Sequence, residues 1–317
     1  MLTRFRQLRD RLSSSDDTVD AWLGQAPWSE IVLPERLAET PSMIVPDERA
    51  LLYALARDHP FERGCIIDAG CFLGGSTLSF ALGLRARADG RRVPLHTYDR
   101  FVLDEETPLA FPQWLEGLRE GDDFRQLFDR IVGDELALTN VHQGDVLQER
   151  WSGEPIDVLF IDLAKSWKVS DHVHRQWLPA LTPDAGVLVQ QDYVHERCPW
   201  LHVLMELLSD YLEFRAVVGG ISTVFRCLRA IPASALPANL REQLSADEMI
   251  ALFDRSAERF AGQDRGVVEC ARAVLLKDVD RTEEARRQVA FTADRWGDSG
   301  LRMTPALAWV QAYLDGS

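Results

Sequence analysis

Five aspartates stand at or just beyond the ends of apolar runs: Asp68, Asp99, Asp145, Asp162 and Asp192. A carboxylate beside a buried run is costly without a partner, so each of these acids calls for a cation or a hydroxyl to meet it. The first belongs to a glycine turn, Asp68-Ala-Gly70-Cys-Phe72-Leu-Gly74-Gly75-Ser76. Its spacing is neither G-x-G-x-x-G nor G-x-x-x-x-G-K-[ST], so neither dinucleotide nor triphosphate binding is indicated. Gly70 and Gly74 permit close approach of a ligand to the backbone, and a helix starting near Ser76 leaves free N–H groups for an anion. Further along, Lys165 follows Asp162 by three residues, and Gln191 precedes Asp192. His195 lies three residues past Asp192 and is the competing proton carrier, with packing or surface exposure as its plainer role. His172 and His174 are two apart on an expected helix, so they do not share a face and do not make a metal pair.

Positioning these residues requires strands that stop together. Residues 47–59 open with acidic side chains and repeat apolar residues at helical spacing, which predicts a helix ahead of the first strand, residues 65–69. The glycine turn then leads into a helical run from Thr77 to Leu82, and Val93–Tyr98 forms a second strand ending at Asp99. Residues 100–137 carry Phe101, Phe111, Trp114, Phe124 and Phe128, and an insertion of that length is often a lid. Strands are expected at 138–142, 156–161 and 186–191, with helices over 170–181 and 201–212. A hairpin of 213–218 and 222–228 turns on Gly219-Gly220. Near-continuous apolar strands alternating with helices imply a doubly wound α/β fold: a mostly parallel, seven-stranded Rossmann-like sheet with an antiparallel last strand. From Pro232 onward the pattern is helical only, so the expected organisation is an N-terminal helical segment, 1–46, a core, 47–231, and a helical extension, 232–317. The pair of helices around 266–296 resembles a tetratricopeptide unit, but one unit does not stack into a solenoid. The extension is therefore expected to pack on the core or on a second copy in a homo-oligomer.

Composition narrows the partners. With 35 Lys plus Arg against 50 Asp plus Glu, the formal charge of −15 repels a phosphate backbone, so nucleic acid is not an expected partner. The five cysteines, Cys65, Cys71, Cys198, Cys227 and Cys270, show no C-x-x-C spacing and read as reduced thiols of a cytoplasmic protein. Leu2, Phe5, Leu8 and Leu12 among arginines make a short amphipathic helix rather than a signal peptide. No stretch approaches the roughly 20 apolar residues of a membrane span, so no membrane partner is expected.

Over residues 47–228, the acid with Gly-x-x-x-Gly, the acid ending the second strand and the Gly144-Asp145-Val146 turn resemble the class I S-adenosylmethionine-dependent methyltransferases. The resemblance implies that Asp68, Gly70, Phe72, Gly74 and Ser76 cradle the methionine end, Asp68 meeting its ammonium. Asp99, beside Arg100, would accept both ribose hydroxyls, as two acceptor oxygens allow. Asp145 and Val146 would take the adenine, and Asp162 would border the cofactor. Asp162-Leu-Ala-Lys165 and Gln191-Asp192-Tyr193 resemble the catechol-type and macrocin-type metal-dependent O-methyltransferases. That likeness implies Mg2+ on Asp162, Gln191 and Asp192, with Lys165 as the general base. Here the branch diverges, because Leu163 and Ala164 stand where many sugar-modifying relatives carry a glycine and another acid. The alternative is that Asp162 and Lys165 form an ion pair and Asp192 caps a turn. The expected function is methylation of a hydroxyl on a small natural-product, sugar or phenolic acceptor. The rivals are a metal-independent N- or C-methyltransferase and a non-catalytic binding or assembly protein.

Overall fold

The computed structural model describes residues 15–61, 63–105, 107, 111–151 and 153–316. The amphipathic helix expected over residues 2–12 lies outside the described residues. Seven strands form one sheet: β1 (Cys65–Ala69), β2 (Leu95–Asp99), β3 (Thr139–Gln143), β4 (Ile156–Ile161), β5 (Val187–Gln190), β6 (Leu212–Val218) and β7 (Ser222–Cys227). Their order is β3-β2-β1-β4-β5-β7-β6, six parallel and the last antiparallel. β1, β4 and β5 are buried at every position, as strands covered on both faces must be. β3, at the sheet edge, has no fully buried residue. β2 starts two residues later than its apolar run, because Pro94 has no N–H to give to a ladder. Its carbonyl nevertheless accepts from Ile66 N at 2.9 Å.

The chain divides into two compact units. The first comprises Met1–Asp162, Ala180–Val189 and Arg226–Ala230. Its described helices are α1 (Ser15–Gln25), α2 (Glu35–Glu39), α3 (Pro46–Asp58), α4 (Gly75–Arg85) and α5 (Arg125–Val132). Proline in the first turn and Glu48 Oε2, which accepts from Val45 N at 2.8 Å, start α3. α3 and α4 pack closely because Gly83 has no Cβ: one there would sit 2.4 Å from Tyr53 O.

Residues 125–138 of the segment read as an insertion form α5 and a 3-10 turn, which is the ordinary crossover from β2 to β3. The preceding stretch is tied down by a bridge between Val102 and Asp123 and by Phe124 N donating to Phe101 O at 2.9 Å. Its aromatics bury Phe101, Leu115, Phe124 and Phe128 against Cys71 and Leu73 of the glycine turn. These residues make a fixed wall behind the turn, because large rings gain more from burial than from solvent. Phe128 is fully buried, so Phe128→Ala is expected to cost about 3–5 kcal/mol in a urea unfolding experiment. A loss below about 1 kcal/mol would show that the wall is not cooperative with the core.

The second unit comprises Leu163–Pro179, Gln190–Phe225 and Ile231–Ser317. It contains α6 (Trp167–Trp177), α7 (Pro199–Leu207), α8 (Leu240–Gln243), α9 (Ala246–Ala257), α10 (Gly262–Asp278), α11 (Thr282–Trp296) and α12 (Met303–Asp315). α6 starts three residues earlier than its apolar periodicity indicates, because Ser166 caps it by accepting from Val169 N at 3.3 Å. α7 ends at Leu207, five residues short of expectation, and Tyr211 N closes a turn on Leu208 O before β6 begins. The C-terminal helices are joined to the middle of the chain by buried polar contacts. Tyr193 Oη and His202 Nδ1 each lie 2.9 Å from Ser256 Oγ. Trp167 Nε1 donates to Asp278 Oδ2 at 2.7 Å, and Tyr313 Oη donates to Asp278 Oδ1 at 2.7 Å.

Candidate active site

In the first unit, β1 and β4 lie side by side, and the chain turns to opposite directions of the sheet after them. Ligands of open α/β sheets bind at the carboxyl ends of strands at such a switch point. Here the two ends are joined by Asp162 N donating to Ala69 O at 2.7 Å. Gly70, Cys71, Phe72, Leu73, Gly75, Ser76 and Asp162 line a small cleft of about 30 Å³. Gly70 and Gly74 both have φ 94°, which a side chain rarely adopts. A Cβ on Gly74 would also lie 2.6 Å from Val132 Cγ2.

Phe72, between them, is held at φ 46° despite its side chain. Its N–H donates to Asp99 Oδ2 at 2.9 Å, while Phe101 N donates to Oδ1 at 2.8 Å. Asp99 thus ties the end of β2 to the glycine turn. Each of its oxygens keeps a lone pair for another donor, since an ionised carboxylate has about four acceptor sites. Burial pushes the Asp99 carboxyl above its ordinary range, against the pull of those N–H groups.

Asp68 is fully buried. Its Oδ2 accepts from Thr77 Oγ1 at 2.5 Å, whereas its Oδ1 has no hydrogen-bond partner among the described residues. Ser76 favours the carboxylate form without a hydrogen bond of full geometry to Oδ1. Burial, reinforced by the charges of Asp162 and Asp99, raises the Asp68 carboxyl to about 7. An orphaned buried oxygen of this kind calls for a donor that the described residues do not provide.

Asp145 is exposed and accepts from Leu147 N at 3.0 Å, capping the 3-10 turn that Val146 opens. Gly144 N donates to Asp99 O at 3.0 Å, which places this turn at the end of β2. Arg100 is exposed. The sequence reading missed residues 41–44, which line the same cleft from more than twenty positions upstream. A trace of them was present in the second glycine: a Cβ on Gly75 would lie 2.3 Å from Ser42 Oγ. Thr77 was also missed, although a hydroxyl in the first turn of the following helix is well placed to reach back to an acid on the strand.

In the second unit, β5 ends at Gln190, and Asp192 adopts φ 58°. Lys165 Nζ donates to Asp192 Oδ2 at 2.5 Å and to Gln191 Oε1 at 3.0 Å. Burial pushes the Asp192 carboxyl up, but Lys165, His195 and Gln191 together bring it below its ordinary value. His195 is half-buried, and its Nδ1 accepts from Arg197 N at 3.2 Å. His174 is buried between Gln190 and Ser170, a packing role, while His172 is half-buried on α6. Trp167 packs its ring against Trp200, with centroids 5.8 Å apart.

No family model and no curated protein matches the chain. Among solved structures it is similar to CalS11, a TDP-rhamnose 3'-O-methyltransferase of calicheamicin biosynthesis. That match has 17% identity over 67% of this chain and 92% of that one, with a TM-score of 0.42. The O-methyltransferase NovP matches at 15% identity over 68% and 100% of the two chains, with a TM-score of 0.46. An S-adenosylmethionine-dependent O-methyltransferase of Thermotoga maritima matches at 12% identity over 63% and 74%, with a TM-score of 0.36. Likenesses this distant concern the path of the chain, and each of these activities is that protein's own.

Proposed function

We propose that this chain is a methyltransferase that binds S-adenosylmethionine in the cleft of its first unit and methylates a hydroxyl of a small molecule. The observation that carries the reading is the buried, unpartnered Oδ1 of Asp68 beside the Gly70–Ser76 turn, with Asp99 bound to the same turn. A cationic ammonium suits that oxygen, and the N–H groups opening α4 suit a carboxylate. Asp99 would take the ribose hydroxyls, with Arg100 beside it, and Asp145 and Val146 the adenine. Gly70, Phe72, Gly74, Ser76 and Asp162 would line the ligand. Bound there, S-adenosylmethionine supplies an electrophilic methyl. We take residues 47–231 as the domain that does this work, flanked by 1–46 and 232–317.

The acceptor hydroxyl gives its proton to Lys165 after that group has lost one of its own to solvent, and Asp192 stabilises the ammonium that re-forms. Gln191 Oε1 holds a second N–H of that group and fixes its direction. His195 stands beside Asp192 as the competing proton carrier. Its Nδ1 is already an acceptor for Arg197 N, so the neutral ring carries its proton on Nε2 and is a donor. Magnesium fits these residues poorly, because the Lys165 ammonium already sits on Asp192 Oδ2 and Gln191 Oε1, oxygens of two of its three expected ligands. No step is therefore assigned to a metal in this site.

The test is calorimetric titration with S-adenosylhomocysteine, with and without magnesium. Saturable binding at one site with the same affinity in both is expected. Absence of binding would overturn the reading and favour a non-catalytic role, and affinity that depends on magnesium would restore the metal-assisted form.

A further inference from the structure

The opposite end of β1 carries a second cluster that the reaction does not use. Cys65 opens the strand, His96 is the second residue of β2, and Glu154 precedes β4 by two residues. One ligand atom from each, thiol, imidazole and carboxylate, lies within 4.8 Å of the others. We propose that Cys65, His96 and Glu154 form a binding site for a borderline divalent cation, zinc above all, at the amino-terminal edge of the sheet.

The donor set points to this class. Thiolate with imidazole selects zinc and its neighbours over magnesium or calcium, which prefer oxygen alone. His96 Nε2 and Glu154 Oε1 are 3.4 Å apart. Two such ligands about 2.0–2.1 Å from a tetrahedral ion stand roughly 3.3–3.4 Å from each other. The second shell is also in place. His96 Nδ1 lies 3.0 Å from His142 Nε2, which holds the ring with Nε2 turned toward the cluster. The His96 ring is further held between Trp151, edge-on at 5.2 Å, and His142, stacked at 5.3 Å.

The backbone brings Cys65 to this place through an irregularity. The register of β1 against β4 slips between Cys65 and Ile66. Asp157, opposite the slip, takes Gly64 N at 3.1 Å and Thr182 Oγ1 at 2.5 Å. A Cβ on Gly64 would lie 2.3 Å from the Asp157 carboxylate, so only glycine permits this approach. As the sulfur–metal bond forms, the Cys65 thiol gives its proton to solvent, and the thiolate, imidazole and carboxylate share the ion. Three protein ligands leave a fourth position for water, on the side where Glu154 is 35% exposed.

Cobalt is the probe, because cobalt bound to a thiolate gives a charge-transfer band in the near ultraviolet that other ligand sets lack. Chelator-treated full-length protein titrated with cobalt should develop that band to one equivalent, release a proton and lose the band to zinc. Cys65→Ser should abolish it. His142→Ala should weaken cobalt binding about 10–100-fold while keeping the band. Glu154→Gln, at a half-exposed position that the fold tolerates, should weaken it at least tenfold. Absence of the band in the native chain, or a band that survives Cys65→Ser through one of the other four cysteines, would overturn the proposal. S-adenosylhomocysteine affinity should be the same in the Glu154→Gln variant, which separates this site from the cleft.

Discussion

Asp99→Ala is expected to weaken S-adenosylhomocysteine binding by on the order of 100-fold, whereas Lys165→Ala should leave that affinity within about twofold and lower turnover instead. Hydrogen bonds to a charged group are worth about 1.5–3 kcal/mol each. Loss of two ribose contacts therefore amounts to roughly 3 kcal/mol or more, or two orders of magnitude. The effect is enlarged by the structural duty of the same carboxylate, which holds Phe72 N and Phe101 N at the cleft. Asp99→Asn keeps an acceptor oxygen and should recover part of the affinity. Lys165 contacts Gln191 and Asp192 in the second unit, and its proposed work is on the acceptor proton. General-base contributions are typically about 100- to 10,000-fold, so a fall in kcat of that size with an unchanged cofactor dissociation constant is the expected signature. Equal loss of binding in both variants would sink the assignment of roles.

Cofactor affinity should rise about tenfold between pH 6 and pH 8, and Asp68→Asn should flatten that rise. The Asp68 carboxyl is lifted to about 7 by burial, so on the order of a tenth of it is ionised at pH 6 and nine-tenths at pH 8. A ligand ammonium pairs with the ionised form alone, and apparent affinity scales with the population of that form. Stability has the opposite sign. The folded chain holds this proton more tightly than the unfolded chain, where the group returns to about 3.8. Between that value and about 7, each pH unit upward removes up to about 1.4 kcal/mol of stability through this residue. Urea unfolding at pH 5 and pH 7.5, with the native chain and Asp68→Asn, measures this directly. An identical pH dependence in both would place the buried charge elsewhere.

Both results depend on groups whose neighbours come from different parts of the chain, and this marks the limit of what spacing reveals. β1 and β4 were legible to the residue, because unbroken apolar runs bounded by polar residues admit few other conformations. The limits of α6 and α7 were less so, since a cap at Ser166 and a turn at Tyr211 decide them rather than the apolar period. Asp68, Gly70, Gly74 and Asp99 announced themselves by position, as a strand end followed by glycines has few structural uses. By contrast, no local pattern indicates that residues 41–44 line the cleft. The partners of Lys165, up to 27 residues away, are likewise open in the sequence, where Asp192 suits a metal ligand and a turn cap alike.

By itself the sequence determined the α/β class, the central strands, the turn with its strained backbone and the acids at the strand ends. These follow from local rules: apolar period, missing Cβ atoms and the cost of an unpartnered charge. Only the tertiary structure decided which groups those acids meet. It left Asp68 Oδ1 without a partner among the described residues, gave Asp192 to Lys165, joined Asp99 to Phe72 and brought Cys65, His96 and Glu154 within one ion's reach. The reason is physical: a partner is selected by which strand ends lie side by side, and sheet order and register are properties of the whole chain.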